Sequence, residues 1–138
     1  MNKIKTIHYT LCGLEYVYFV NAPVGIDGAE EYIDIPPDQI DRMIAVEIIR
    51  QGIPLRGREV LFLRKALKMN RNQWSEKLGV TASGIFRWEE GRNKRLSRIN
   101  EVAVRMLCAE ELEIELEGKW SAVITGDNRP ERLEVAAA

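Results

Sequence analysis

The sequence predicts a mainly α bundle with a small N-terminal β-hairpin segment, α+β overall. Three observations carry this reading. Apolar residues recur at three- and four-residue intervals from about Ile40 to Leu107, the spacing of helices that bury one face. Ahead of them, residues 6–20 are dense in β-branched and aromatic side chains, the composition of strands. Gly52, Pro54, Gly79 and Gly91 then cut the helical pattern into short pieces.

Taken in order, Thr6, Ile7 and Tyr9 form one strand run and Tyr16 to Val20 another, with Cys12-Gly13 between them, which reads as a short hairpin. Gly25, Asp27 and Gly28 mark a turn, and Tyr32–Ile35 reads as a third short strand. Pro36-Pro37-Asp38 opens a helix, because the missing proline N–H costs nothing in a first turn. Ile40, Met43, Ile44 and Ile48 form its stripe, and Ala45, Val46 and Ile49 add a second apolar face. Helices are expected at about 57–68, 71–78 and 81–90. Another starts near Ser97 and should bury Ile99, Val102, Ala103, Met106 and Leu107. Leu112 to Glu117 alternates like a strand but is built from helix formers, so it stays open between the two. Residues 126–138 read as a mobile tail.

Composition narrows the function. No run of about 18 apolar residues exists, so no membrane span is expected. The basic start at Met1 to Lys5 has no apolar core behind it, which argues against a secretory signal. Two widely separated cysteines, Cys12 and Cys108, make no disulfide framework, and a reducing, cytoplasmic setting is expected. The net charge of −1 conceals an asymmetry. Residues 56–98 hold twelve Lys or Arg against four Asp or Glu, while both flanks are acidic. A basic centre between acidic flanks points to a polyanionic partner.

The stretch Asn70 to Gly91, N-R-N-Q-W-S-E-K-L-G-V-T-A-S-G-I-F-R-W-E-E-G, concentrates the function. Two short helices meet at a tight turn. Asn70 and Thr81 can cap them, and Gly79 supplies the positive φ the turn needs. Trp74, Leu78, Val80, Ile85 and Trp88 are spaced to pack on Leu63 and Leu67. That leaves Ala82, Ser83, Gly84, Phe86, Arg87 and Glu90 nearer the outside, with Ser83 and Arg87 on one face. Glu89 is expected to cap or pair within the domain.

This stretch resembles the Xre (lambda-repressor-like) helix-turn-helix family, over about Arg58 to Leu107. The most specific part is L-G-V-T-A-S-G-I-F-R-W-E-E-G, where the family shows a Leu-Gly-Val-Ser turn and an Ile-x-x-Trp-Glu-x-Gly ending. P-L-R-G-R-E-V-L-F-L-R-K-A-L and Y-T-L-C-G-L-E-Y-V-Y look similar to segments of MqsA-type antitoxins and related regulators, although this chain lacks their Cys-x-x-Cys. The resemblance implies a recognition helix over Thr81–Glu90 with base-reading positions at Ala82, Ser83 and Arg87, and Gly84 and Phe86 alongside. It also implies phosphate contacts from Arg71, Arg92, Asn93, Lys94 and Arg95. The chemistry fits: Arg donates twice to guanine, Ser reaches a base or a phosphate, and Ala or Phe packs on a thymine methyl. Backbone N–H groups at helix starts add to phosphate binding.

Three other classes are weaker. One His and two Cys cannot fill a four-ligand zinc site, so no metal or other cofactor is expected. No nucleophile–base set or Gly-rich phosphate loop is present, and enzyme activity is not expected. A protein-interaction adaptor that keeps the fold without reading DNA is the alternative, and the basic residues around the third helix argue against it. The expected organisation is therefore 1–52 for dimerisation or partner binding, 53–111 for double-stranded DNA and 112–138 as an extension. The protein is expected to be a transcriptional regulator, a repressor or antitoxin-type autoregulator. It should act as a homodimer on a pseudo-palindromic operator, with a toxin protein as a further possible partner.

Overall fold

The computed structural model describes residues 3–116 and 131–137. Its strands are β1 (Lys3–His8), β2 (Val17–Asp27), β3 (Glu30–Ile33) and β4 (Leu133–Ala136). Its helices are α1 (Pro37–Arg50), α2 (Gly57–Ala66), α3 (Arg71–Leu78), α4 (Ala82–Glu90) and α5 (Arg98–Glu111). The class is therefore α+β, with one mixed sheet joined to a helical bundle.

β2 is the spine of the sheet. β1 pairs with it antiparallel, and β3 pairs antiparallel with its end, Val24 to Asp27. Lys5 to Ile7 of β1 spans Ala22 to Phe19 of β2, so β2 carries one residue more. Asn21 absorbs it at a φ of 57°, a left-handed conformation that Asn tolerates better than most residues. Gly25 lies inside β2 and not in the expected turn. Its partner Tyr32 lays its ring where a Cβ would stand, so a larger residue there would push the half-exposed ring aside. The chain reverses instead at Gly28-Ala29, with Gly28 at a φ of 65°.

The expected tail is the largest departure. Residues 133–136 form β4, parallel to Val17–Val20 of β2. Leu133 and Val135 alternate inward and join Val17 and Phe19 in the core, while Glu134 faces out. Four residues of alternation are too few to recognise alone, and their partner lies more than a hundred residues earlier. Residues 126–130, also part of that expected tail, lie outside the described residues. The open alternative at Leu112 resolves only in part. Leu112 ends α5, residues 114–116 are irregular and Glu117 is outside the described residues.

α1 begins on Pro37 as expected and buries Ile40, Ile44, Ala45, Ile48 and Ile49. β4 lies against it, and so do α2 and α5. Both apolar faces of α1 are thus covered within the chain. The returning β4 and the bundle supply this cover, with Met43 and Val46 left partly buried. Leu14, Phe19, Ile44, Ile53, Leu63 and Leu133 belong to one buried cluster, so the core runs across the boundary expected at residue 52.

In the bundle, local signals act as expected. Asn70 Oδ1 accepts from Gln73 N at 2.8 Å, and Gln73 Oε1 accepts from Asn70 N at 2.8 Å, a reciprocal cap at the start of α3. Gly79 sits at a φ of 71° between α3 and α4. Thr81 is the cap of α4 and not its first residue. α5 differs from expectation. Val102 and Leu107 are buried, but Ile99 is 81% and Met106 50% exposed. The inward face of α5 is instead shared with the buried pair Glu101 and Arg105. A helix with apolar residues on every side does not declare which side faces inward.

Because Leu133 is fully buried between β2 and α1, Leu133→Ala should cost about 2–5 kcal/mol, the range for a core leucine truncation. Urea unfolding of the full chain checks this. A loss below about 1 kcal/mol would show that β4 is not docked as described.

Candidate nucleic-acid interface

The geometry of α4 follows from its two faces. Ile85 and Glu89 are buried and Trp88 is half-buried against the core. Ser83, Phe86, Arg87 and Glu90 are exposed on the outward arc, and Ala82 is half-buried at its edge. The start of the helix is held by Thr81, whose Oγ1 accepts from Gly84 N at 2.9 Å. A Cβ on Gly84 would come within 3.1 Å of that oxygen, so Gly84 contributes local fit to the cap.

One buried carboxylate holds α4 to both neighbours. Glu89 accepts from Arg64 of α2 through Nε at 2.6 Å and Nη2 at 3.0 Å. It also accepts from Arg71 Nε of α3 at 2.9 Å. Arg64 donates a further bond to Met69 O at 3.1 Å, which anchors the loop between α2 and α3. A buried charge is tolerated only when paired and hydrogen-bonded, and here three helices are needed to meet that demand. Two cations against one anion leave the cluster net positive at the foot of α4. Arg71 is a predicted phosphate contact and Phe86 a predicted base neighbour, and the two are in mutual contact. The Arg71 guanidinium lies 4.9 Å from the Phe86 ring centroid.

Between the starts of α3 and α4 is a concavity of about 480 Å³, lined by Asn70, Arg71, Asn72, Ala82, Ser83 and Phe86, with Arg64 at its back. It gathers two predicted base-reading residues, Ala82 and Ser83, beside a predicted phosphate ligand, Arg71. Arg87 is not among its lining residues. Asn72 is a member that sequence reasoning missed. The available signal was its place in the first turn after the Asn70 cap. Arg64 was missed as well, because nothing local distinguishes a buried arginine from a solvated one.

The segment after α4 carries the other predicted cations. Arg92, Asn93 and Lys94 are exposed. Arg95 is mostly covered and differs from the other three. Its Nε donates to Glu101 Oε1 at 2.9 Å and its Nη2 to Glu101 Oε2 at 3.0 Å. Arg87, Arg92, Lys94 and Arg98 hold no ion pair among the described residues.

A hollow of about 980 Å³ lies apart from α4 between β1, β3 and the start of α1. Its walls are mainly apolar, and the Lys5–Glu31 ion pair crosses one end. Burial pushes the Cys108 thiol up to about 12 and raises that of Cys12, so both stay protonated near neutral pH. Among the described residues no three His, Cys, Asp or Glu side chains cluster as a metal ion would require. No helix among the described residues is long and apolar enough to cross a membrane. Comparison with known protein families, curated proteins and solved structures finds no match.

Glu89→Gln would leave Arg64 and Arg71 around a neutral amide. A loss of about 3–5 kcal/mol is expected, as for other buried pairs broken on one side. Thermal and urea unfolding check this. A change within about 1 kcal/mol would mean that the cluster behaves like a solvated surface pair.

Proposed function

We propose that the protein is a sequence-specific, double-stranded-DNA-binding transcriptional regulator that acts as a homodimer. The observation that carries this reading is the outward arc of α4. Ser83 and Arg87 project side by side from a capped, rigidly held helix, and neither has an ion-pair partner within the described residues. Exposed Arg92 and Lys94 follow directly at its end. A helix of this kind fits the major groove, with cations placed for the flanking phosphates.

In this reading Arg87 donates two hydrogen bonds to guanine O6 and N7. Ser83 meets a base edge or a phosphate, and Ala82 and Phe86 pack on a thymine methyl. Arg71, Asn72 and the first N–H groups of α3 hold one strand's backbone, and Arg92, Asn93 and Lys94 hold the other side. Binding to a site in the protein's own promoter would make it an autoregulatory repressor of the antitoxin type.

A single recognition helix reads few base pairs, so two copies on a pseudo-palindromic site are expected. α5 supplies a surface for the second copy. Ile99, Ala103 and Met106 lie on one stripe, four and then three residues apart, and the last two line a hollow with Leu78 and Leu107, rimmed by Lys77 and Glu110. Across a two-fold axis each Ile99 can enter the partner's hollow, the self-complementarity that a closed dimer needs. Ile99→Asp with Met106→Asp should convert a dimer to a monomer in light scattering. A monomeric wild type would overturn the dimer.

Selection from randomised duplexes, followed by titration of the winning site, tests the functional reading. Affinity should fall about 10³-fold between 50 and 200 mM salt, as for six or more phosphate contacts per dimer. Arg87→Ala should cost about 1–3 kcal/mol at one base pair of each half-site and erase the preference there. Uniform weakening on all sequences would move Arg87 to a phosphate. Failure to enrich any duplex would favour the protein-interaction adaptor.

A further inference from the structure

The segment that carries Arg92, Asn93 and Lys94 is not an independent loop. It runs antiparallel to residues 55–58, which lead into α2. Arg58 N donates to Arg92 O at 3.1 Å, Gly57 N to Lys94 O at 3.3 Å and Leu96 N to Leu55 O at 3.0 Å. Arg56 and Arg95 face each other in this short ribbon. Gly57 permits the close approach, since a Cβ there would overlap the Trp88 carbonyl oxygen at the end of α4. The exposed cations thus sit on a two-stranded strap laid across the root of the DNA-reading helix.

Both strands of the strap are tied to one buried group. Glu101 of α5 is fully buried. Its Oε1 accepts from Leu55 N at 2.9 Å on one strand and from Arg95 Nε at 2.9 Å on the other. Its Oε2 accepts from Arg95 Nη2 at 3.0 Å. Behind it stands Arg105, almost fully buried, with Nε 3.6 Å from Glu101 Oε2 and Nη2 donating to Ile53 O. Arg105 Nε and Nη1 have no hydrogen-bond partner among the described residues. Burial lowers the basicity of this guanidinium and Glu101 offsets the effect in part. The carboxylate therefore answers two arginines and a backbone amide at once, and neutralising it would release the strap at both strands.

We infer that Glu101 is a positioning residue for DNA binding, setting the register of the strap so that Arg92 and Lys94 meet the phosphate backbone while Glu101 itself touches no nucleic acid. The inference rests on the DNA-binding reading above. It also gives Arg95 a different role from the predicted phosphate contact, since its mostly covered side chain commits Nε and Nη2 to Glu101.

Glu101→Gln in the full chain tests this on the selected duplex and on a shuffled one. The exchange of the Gly57, Arg58 and Leu96 amides should quicken at least about tenfold more than that of α2 and α4 amides. Affinity should drop by about the same factor on both duplexes, leaving specificity unchanged, and the salt slope should shallow by about one unit. In an Arg92→Ala/Lys94→Ala background the same substitution should then cost less than about twofold, because its route is already gone.

Arg95→Lys is the second variant, for use if Glu101→Gln does not fold. It keeps the charge and loses the two-pronged bond. The strap should loosen and the slope shallow, whereas a direct phosphate contact by residue 95 would keep the slope. Variants that lose only the fraction of binding-competent molecules, while the survivors keep wild-type affinity and slope, would overturn the inference and leave Glu101 a fold residue. Absence of duplex binding by the wild type would overturn the functional reading and this inference with it. Wild-type binding with an unmoved slope in the folded variants would overturn this inference alone.

Discussion

A carboxylate taken out of water must collect donors from wherever the chain can bring them, and the bundle is organised by three that do. Glu59 in α2 accepts from Tyr16 Oη at 2.9 Å and from Arg56 N at 3.0 Å. Glu89 in α4 collects Arg64 and Arg71, and Glu101 in α5 collects Leu55 N and Arg95. Each joins at least two elements distant in sequence. An unpaired buried charge would cost a sizeable share of the few kcal/mol that keep a domain folded. These contacts are therefore met together or not at all. The sheet end, α2, α3, α4 and the strap after α4 all take their places from them.

The same pairing decides what remains for a partner. Of the twelve basic residues between 56 and 98, Arg58 is spent on Glu15, Lys68 on Asp38, Lys77 on Glu111, Arg64 and Arg71 on Glu89, and Arg95 on Glu101. Much of the basic block is thus internal counter-charge. Lys65 on α2, Arg87 on α4, Arg92 and Lys94 in the segment after it and Arg98 at the start of α5 are left exposed and without an ion pair among the described residues. Arg71 stands between the two groups, half-exposed at the concavity beside Ser83 while bonded to Glu89. Such a residue can meet a phosphate without swinging, since pairing already fixes its orientation.

The N-terminal half and the bundle share one core because α1 is covered from both sides. The sheet contributes Val17, Phe19, Leu133 and Val135, and the bundle contributes Leu63, Val104 and Cys108. Displacing β4 would uncover one flank of α1 and the edge of β2 together. The exposed arc of α4 lies away from this joint, on elements whose positions the joint helps to set.

By itself the sequence determined what short-range physics decides. The α3–turn–α4 unit follows from the Asn70 cap, the left-handed Gly79, the Thr81 cap and the spacing of Trp74, Ile85 and Trp88. Each acts within about one helical turn, so each was legible, as was the outward placing of Ser83 and Arg87. Tertiary structure alone decided the rest. Residues 133–136 are a strand because β2 offers its edge. Arg95 pairs with Glu101, six residues on, because that carboxylate is drawn inside beside Leu55 and Arg105. Ile99 and Met106 face outward because α1 and α3 claim the other side of α5. In each case the deciding partner lies on another element, and the energy that matters is the burial of a group whose partners chain order does not reveal.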